Sequence, residues 1–240
     1  MVLARSLVYF ALLAATTFVF ALPMVLFGRV IPHRWLMSLS GQWACTNLRL
    51  QKAVCGLGYE IQGMENLPEG GVIVMAKHQS AWETIALRGL LPRRQTWVLK
   101  RELLWVPVFG WALAMTGPIA VDRKAGRAAA RQLVDEGRRR LDQGHCLILF
   151  PEGTRVAPGE HGKYHIGGGL LAAASGYPVV PIAHNAGVFW ARRGVKKYPG
   201  TIRVVLGAPI PPQDLSAAQI TRRVEQWIEQ TMETLPAQRS

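Results

Sequence analysis

A histidine followed five positions later by a glutamate, in Lys77-His-Gln-Ser-Ala-Trp-Glu83, is the arrangement in this chain best suited to moving a proton. A carboxylate that accepts a hydrogen bond from one imidazole nitrogen fixes the tautomer and steadies the cation, leaving the other nitrogen to take a proton from a hydroxyl. Along a continuous helix of 3.6 residues per turn, five positions set two side chains about 140° apart. His78 must therefore lie in a loop ahead of the helix that carries Glu83. Ser80 and Glu83 also have the spacing of a capping box, which gives Glu83 an alternative, purely structural use. A second cluster is Phe150-Pro-Glu-Gly-Thr-Arg155, where Pro151 and Gly153 bend the chain and the planar guanidinium of Arg155 suits bidentate phosphate binding. By itself that cluster is equally an ordinary surface turn with a solvated charge pair. There is no GxSxG elbow and no reactive-cysteine context, so a base acting without a covalent nucleophile is the expected chemistry. His33, His145, His161, His165 and His184 have no partner at metal-ligand spacing and HExxH is absent, so no metal is expected.

The elements around these clusters alternate short β-branched runs with helical segments. Residues 71–76, 96–100, 119–122, 146–150, 179–183 and 202–206 read as strands, and their near-continuous apolar character suits a sheet covered on both faces. Helices are expected over 81–91, 124–143 and 168–175, stopped by Pro92, Gly144 and Gly176. A last helix starts at Ser216, where Ser-Ala-Ala-Gln219 has capping-box spacing, and buries Ile220, Val224, Trp227 and Ile228. The fold class is α/β, with a mostly parallel central sheet flanked by helices. His78 then sits where a strand end meets a helix start, the usual place for a site in such sheets. Lys124, Arg127, Arg131 and Arg138 form one helical stripe, read first as a solvated face. Gly167-Gly-Gly169 lacks phosphate-loop spacing and is expected to be a tight helix entry.

Leu7–Phe27 carries no charge over 21 residues, close to the roughly 20 helical residues that cross a bilayer core. Pro23 allows a bend instead of a full span. The segment that follows, to about Val54, spaces Trp35, Leu36, Leu39, Trp43 and Leu50 as an interfacial helix would. Residues 1–57 are therefore read as membrane-anchoring helices and 58–240 as the α/β domain. Arg29, Arg34, Arg49 and Lys52 follow the apolar run and only Arg5 precedes it, which places the bulk of the chain on the cytoplasmic side of the inner membrane. The formal charge of +13 calls for an anionic partner. Basic residues without a nucleic-acid module or interleaved aromatics, next to an apolar N-terminus, point to membrane phospholipid and away from nucleic acid. Cys45, Cys55 and Cys146 are too few and scattered for a disulfide framework.

In order and spacing, His78-Gln-Ser-Ala-Trp-Glu83, Lys100-Arg-Glu-Leu103, Gly117-Pro-Ile-Ala-Val-Asp122-Arg123, Phe150-Pro-Glu-Gly-Thr-Arg155 and Val180-Pro-Ile182 resemble the glycerolipid acyltransferase family over about residues 60–210. The resemblance implies transfer of an acyl chain from a thioester, acyl-CoA or acyl carrier protein, to lysophosphatidic acid, with no cofactor. It implies that His78 is the general base, with Glu83 in the place of the family's usual Asp. It further implies that Lys100 and Arg155 hold the substrate phosphate, that Glu152, Gly153 and Thr154 belong to the acceptor-binding turn, and that Asp122 and Arg123 are positional. Backbone N–H groups at the helix start after His78 are candidates for the oxyanion. Glycerol 3-phosphate or another lyso-lipid as acceptor, and a non-catalytic protein that binds anionic lipid, stand as alternatives.

Overall fold

The computed structural model describes all residues except Arg93, Arg239 and Ser240, with Arg123 described by its backbone alone. Helices α1 (Val2–Phe27) and α2 (His33–Cys55) form an antiparallel pair, and the chain then builds a seven-stranded sheet. The strands are β1 (Leu57–Gln62), β2 (Val72–Ala76), β3 (Gln95–Lys100), β4 (Ile119–Val121), β5 (Cys146–Leu149), β6 (Val179–His184) and β7 (Gly200–Leu206). Their spatial order is β1-β7-β6-β2-β5-β3-β4, parallel throughout except for the antiparallel β6–β7 pair. Helices α3 (Trp82–Leu90), α4 (Phe109–Met115), α5 (Arg127–Asp142), α6 (Gly167–Ser175), α7 (Ala186–Phe189) and α8 (Ala217–Thr234) complete the chain. The α/β class and the six expected strands are present. The central strands β2, β5 and β6 are buried along their whole length, as continuous apolar runs require.

Several elements differ from expectation. β1 is not among the expected strands: it is an edge strand paired only with β7, and Gly58, Glu60 and Gln62 dilute its apolar pattern. The 3-10 turn Arg101–Trp105 and α4 are hidden by Pro107 and Gly110, which punctuate an otherwise apolar stretch. The expected helix over 124–143 breaks at Gly126, whose φ of 50° ends the 3-10 turn Arg123–Ala125 and leads into α5. The capping box at α8 forms: the Gln219 amide donates to Ser216 Oγ, and the Ser216 amide donates to Gln219 Oε1 at 2.8 Å. The glycine run opens α6 as a close-packing device. A Cβ on Gly168 would meet Met75, and one on Gly169 would meet the Ala217 carbonyl.

The helix α1 is packed along the domain instead of standing clear of it. Ser6, Tyr9, Ala21 and Met24 are buried, with Phe10 and Leu13 packed on the same core, whereas Leu7, Val8, Phe18, Val19, Leu22 and Leu26 are exposed. That is one helical stripe inward and an apolar face outward. Near the N-terminus, Lys197 donates its amide to Ser6 Oγ at 2.8 Å, and its ammonium lies 3.2 Å from the Phe10 ring centroid and 4.3 Å from that of Trp190. At the other end Met24 packs with Leu36 and Ala112. Tyr9, Ala44, Leu48 and Cys55 belong to the same core cluster as β2, β5 and β6 residues, so the boundary after residue 57 does not separate two cores.

Candidate active site

Three adjacent parallel strands, β2, β5 and β3, end at one edge, and each releases one part of the site. His78 leaves β2, the Phe150–Arg155 turn leaves β5, and Lys100 is the last residue of β3. Both backbone groups of His78 are held by the β5 turn: its amide donates to Glu152 Oε2 at 2.7 Å, and its carbonyl accepts from the Val156 amide at 2.8 Å. The imidazole stacks on the Phe150 ring, with centroids 4.0 Å apart and planes 14° from parallel. Nδ1 lies 2.8 Å from Glu83 Oε1. Glu83 is in the first turn of α3 and His78 in the loop before it, the one arrangement that brings the two together at this spacing.

The two uses foreseen for Glu83 are served by a single oxygen. Oε1 also accepts the amides of Gln79 and Ser80, at 2.8 and 2.7 Å. Burial raises the Glu83 carboxyl, but the His184 and His78 imidazoles and the Ser80 amide together outweigh it, leaving the pKa below the ordinary carboxylate value. Those amides are consequently spent. With the Trp82 amide on Ser80 Oγ at 3.2 Å, the helix start does not offer Gln79, Ser80 or Trp82 to an oxyanion, contrary to the expectation from sequence.

Beneath His78 lies a charged network that no motif or spacing in the chain foreshadows. Lys77, 1 % exposed, places Nζ 2.8 Å from Glu152 Oε1 and 2.8 Å from Glu229 Oε1 of α8. Tyr164 donates its hydroxyl to the same Glu229 oxygen at 2.7 Å. Burial pushes the Glu152 carboxyl up against the pull of Lys77 and the His78 amide. His184, fully buried, accepts the Ala186 amide at Nδ1, so Nε2 donates to the Lys77 carbonyl at 2.8 Å. Burial holds its pKa down against the pull of Glu83.

His78, Lys100 and Arg155 line one cavity of about 280 Å³ with Phe150, Trp97 and Thr84, and its far walls come from α1, α2 and α4 through Phe20, Met24, Trp43 and Leu113. Lys100 is half exposed and pairs with Glu102 at 3.2 Å. The remaining members of the β5 turn take other places. Glu152 is committed to Lys77 and the His78 amide, and Gly153 supplies the left-handed turn with φ of 66°. Thr154 accepts from Arg192 on the surface at 3.2 Å. Asp122 accepts the Lys124 amide at the 3-10 turn, and the Arg123 side chain lies outside the described residues. Lys124, Arg127, Arg131 and Arg138 are exposed, a solvated face. Arg88, unassigned from sequence, also lines the cavity: it lies 5.4 Å over Trp97 and 3.7 Å from Met37 Sδ, and burial lowers its pKa to about 10. Among the described residues no group of His, Cys, Asp and Glu could hold a metal ion.

An imidazole braced by a carboxylate thus faces an apolar cavity rimmed by cations, at the strand ends of an α/β sheet where such folds place their sites. The Acyltransferase family model matches residues 58–185, and the chain belongs to that family. It is 42% identical over 233 residues, 95% of this chain and 90% of the relative, to the 1-acyl-sn-glycerol-3-phosphate acyltransferase of Pseudomonas aeruginosa. It is 27% identical over 82% of its length, and 69% of the relative's, to the human 1-acyl-sn-glycerol-3-phosphate acyltransferase beta. The crystal structure of the 1-acyl-sn-glycerophosphate acyltransferase PlsC from Thermotoga maritima shares the fold, with a TM-score of 0.80, 22% identity, and coverage of 100% of this chain and 98% of that one.

Proposed function

We propose that the protein transfers an acyl chain from a thioester, on coenzyme A or on acyl carrier protein, to the free hydroxyl of 1-acyl-glycerol 3-phosphate, giving phosphatidic acid. The observation that carries this reading is the His78–Glu83 contact of 2.8 Å at the mouth of an apolar cavity that Lys100 and Arg155 also line. Lys100 and Arg155 hold the phosphate and aim the hydroxyl at the imidazole, which lowers the entropic part of the barrier. His78 Nε2 takes the hydroxyl proton as its oxygen attacks the thioester carbon. Glu83 stabilises the imidazolium that results, and the proton then passes to the departing thiolate as the C–S bond breaks. Glu152 acts on the base from behind, through Lys77 and the His78 amide, and does not contact substrate. Binding of the acyl chains falls to the apolar walls, including those from α1 and α2.

Membrane phospholipid is the surface on which this occurs. The apolar run of α1 touches the domain at Ser6 and again at Met24, so both ends lie on one side, and the helix rests flat in one leaflet with its apolar face outward. The exposed Trp105, Val106 and Trp111 extend that face. The excess of cations after α1 supports the cytoplasmic leaflet.

The test is turnover by the purified protein across acyl-CoA and acyl carrier protein donors and a panel of acceptors, with His78→Ala as control. Turnover with lysophosphatidic acid that His78→Ala abolishes is expected. Preference for an acceptor without phosphate would remove Lys100 and Arg155 from their role, and full activity of His78→Ala would sink the mechanism.

A further inference from the structure

A second cavity, of about 640 Å³, opens behind the active site where α2 begins. His33, Arg34 and Trp35 line it from the first turn of α2, Arg94 from the turn before β3, and Gln143 and His145 from the turn before β5. Arg140 stands beside it and donates to the Gly117 carbonyl at 3.4 Å. Arg94 donates to the Gln143 carbonyl at 3.3 Å. Each guanidinium thus spends one of its five donors on a carbonyl and keeps the others. Among the described residues no carboxylate forms an ion pair with Arg34, Arg94 or Arg140.

Two further features point the same way. Helix α2 starts at Pro32 with no side-chain cap and no acidic residue in its first turn, so its N-terminal partial positive charge adds to that of the arginines. The His145 ring, buried against this cavity, reports the local field. Its pKa is lowered first by burial and then by the neighbouring Arg140, His33 and Arg94. Trp35, which lines the cavity, is 56 % exposed, and the residues that lead into it from the end of the membrane-facing helix, Phe27 and Val30, are exposed apolar side chains as well. A tryptophan beside a basic pocket at the edge of an apolar surface is the setting in which a lipid headgroup meets protein.

We propose that this cavity binds the phosphate of an anionic phospholipid headgroup, separately from the substrate phosphate at Lys100 and Arg155. The proposal rests on the membrane association given above and adds to it a discrete headgroup site. The two cavities lie back to back. His33 Nε2 bonds the Thr116 carbonyl at 3.2 Å, and Thr116 also lines the active-site cavity. Met37 lines the headgroup cavity and touches Arg88 of the other.

The experiment is flotation of the full-length protein with phosphatidylcholine vesicles and with vesicles in which phosphatidylglycerol replaces a third of the lipid, at fixed ionic strength. The wild-type protein is expected to prefer the anionic vesicles. The pair Arg34→Gln and Arg94→Gln should lose about 30-fold of that preference, at roughly the strength of one basic residue each near an anionic surface, while still floating with phosphatidylcholine. A matched pair on the membrane-facing helix ends, Arg5→Gln and Arg29→Gln, should lose distinctly less. Equal loss in the two pairs would mean diffuse surface charge and overturn the site. Displacement from anionic vesicles by millimolar inorganic phosphate, but not by chloride at the same ionic strength, would mark a soluble-anion site and overturn the lipid assignment. Failure of the wild-type protein to float with either vesicle would overturn the membrane reading itself, a result distinguishable from loss of the anionic preference alone.

Discussion

At the residue scale the proposed base is distinguished by how little freedom it retains. His78 has its amide, carbonyl, Nδ1 and ring face all engaged, by Glu152, Val156, Glu83 and Phe150, which leaves Nε2 for chemistry. Glu83→Gln keeps the shape and an acceptor oxygen but not the charge that stabilises an imidazolium. Turnover should fall on the order of 10²–10⁴-fold with the acceptor KM little changed, as steady-state kinetics would show. The same carboxylate governs acid stability. Its folded pKa is depressed, so its contribution is complete above the unfolded carboxylate value and is lost as pH falls through the folded one. Thermal unfolding of wild type and Glu83→Gln should therefore converge on acidification from neutral pH; a gap that stays constant would contradict this. His78, Glu83 and Arg155 were legible because their types and spacing are local. Lys77 was not, although it adjoins His78, because a lysine at the end of an apolar strand declares itself only through partners. One of these, Glu229, is 152 positions away.

At the element scale, the site is the meeting of three strand ends, and its support comes from the far end of the chain through α8. The strands were visible as apolar runs, and α8 as a capped amphipathic stripe. What periodicity could not give was the alignment that sets Glu229 over Lys77, or the position of α4, whose Pro107 and Gly110 read as loop. Lys77→Met removes the cation from a pair that is almost wholly buried and leaves Glu152 uncompensated. A loss of about 3–5 kcal/mol in denaturant unfolding is expected, with Glu229→Gln milder because its side chain is partly exposed. An unchanged midpoint for Lys77→Met would mean that water reaches the pair.

For the whole molecule, the question left open by an uncharged run of 21 residues was whether it crosses the bilayer. Length and composition permit either outcome, and the contacts of Ser6 and Met24 with one and the same domain are what support the proposed flat helix. Ala4→Cys and Arg29→Cys, both at exposed positions, should label from the same side with a membrane-impermeant thiol reagent in oriented vesicles. Protection of one and not the other would restore a span.

Because Phe20 and Met24 of α1 and Trp43 of α2 wall the cavity that His78 lines, the part of the chain with the outward apolar face and the part that carries the proposed base share one set of side chains. Trimming the first 57 residues to obtain a water-soluble fragment would unroof the reaction chamber and bare the core under Tyr9, Ala44 and Leu48. A freely diffusing version of this enzyme cannot be reached by cutting; it would have to be reached by replacing the outward face of α1 while leaving its inward stripe alone.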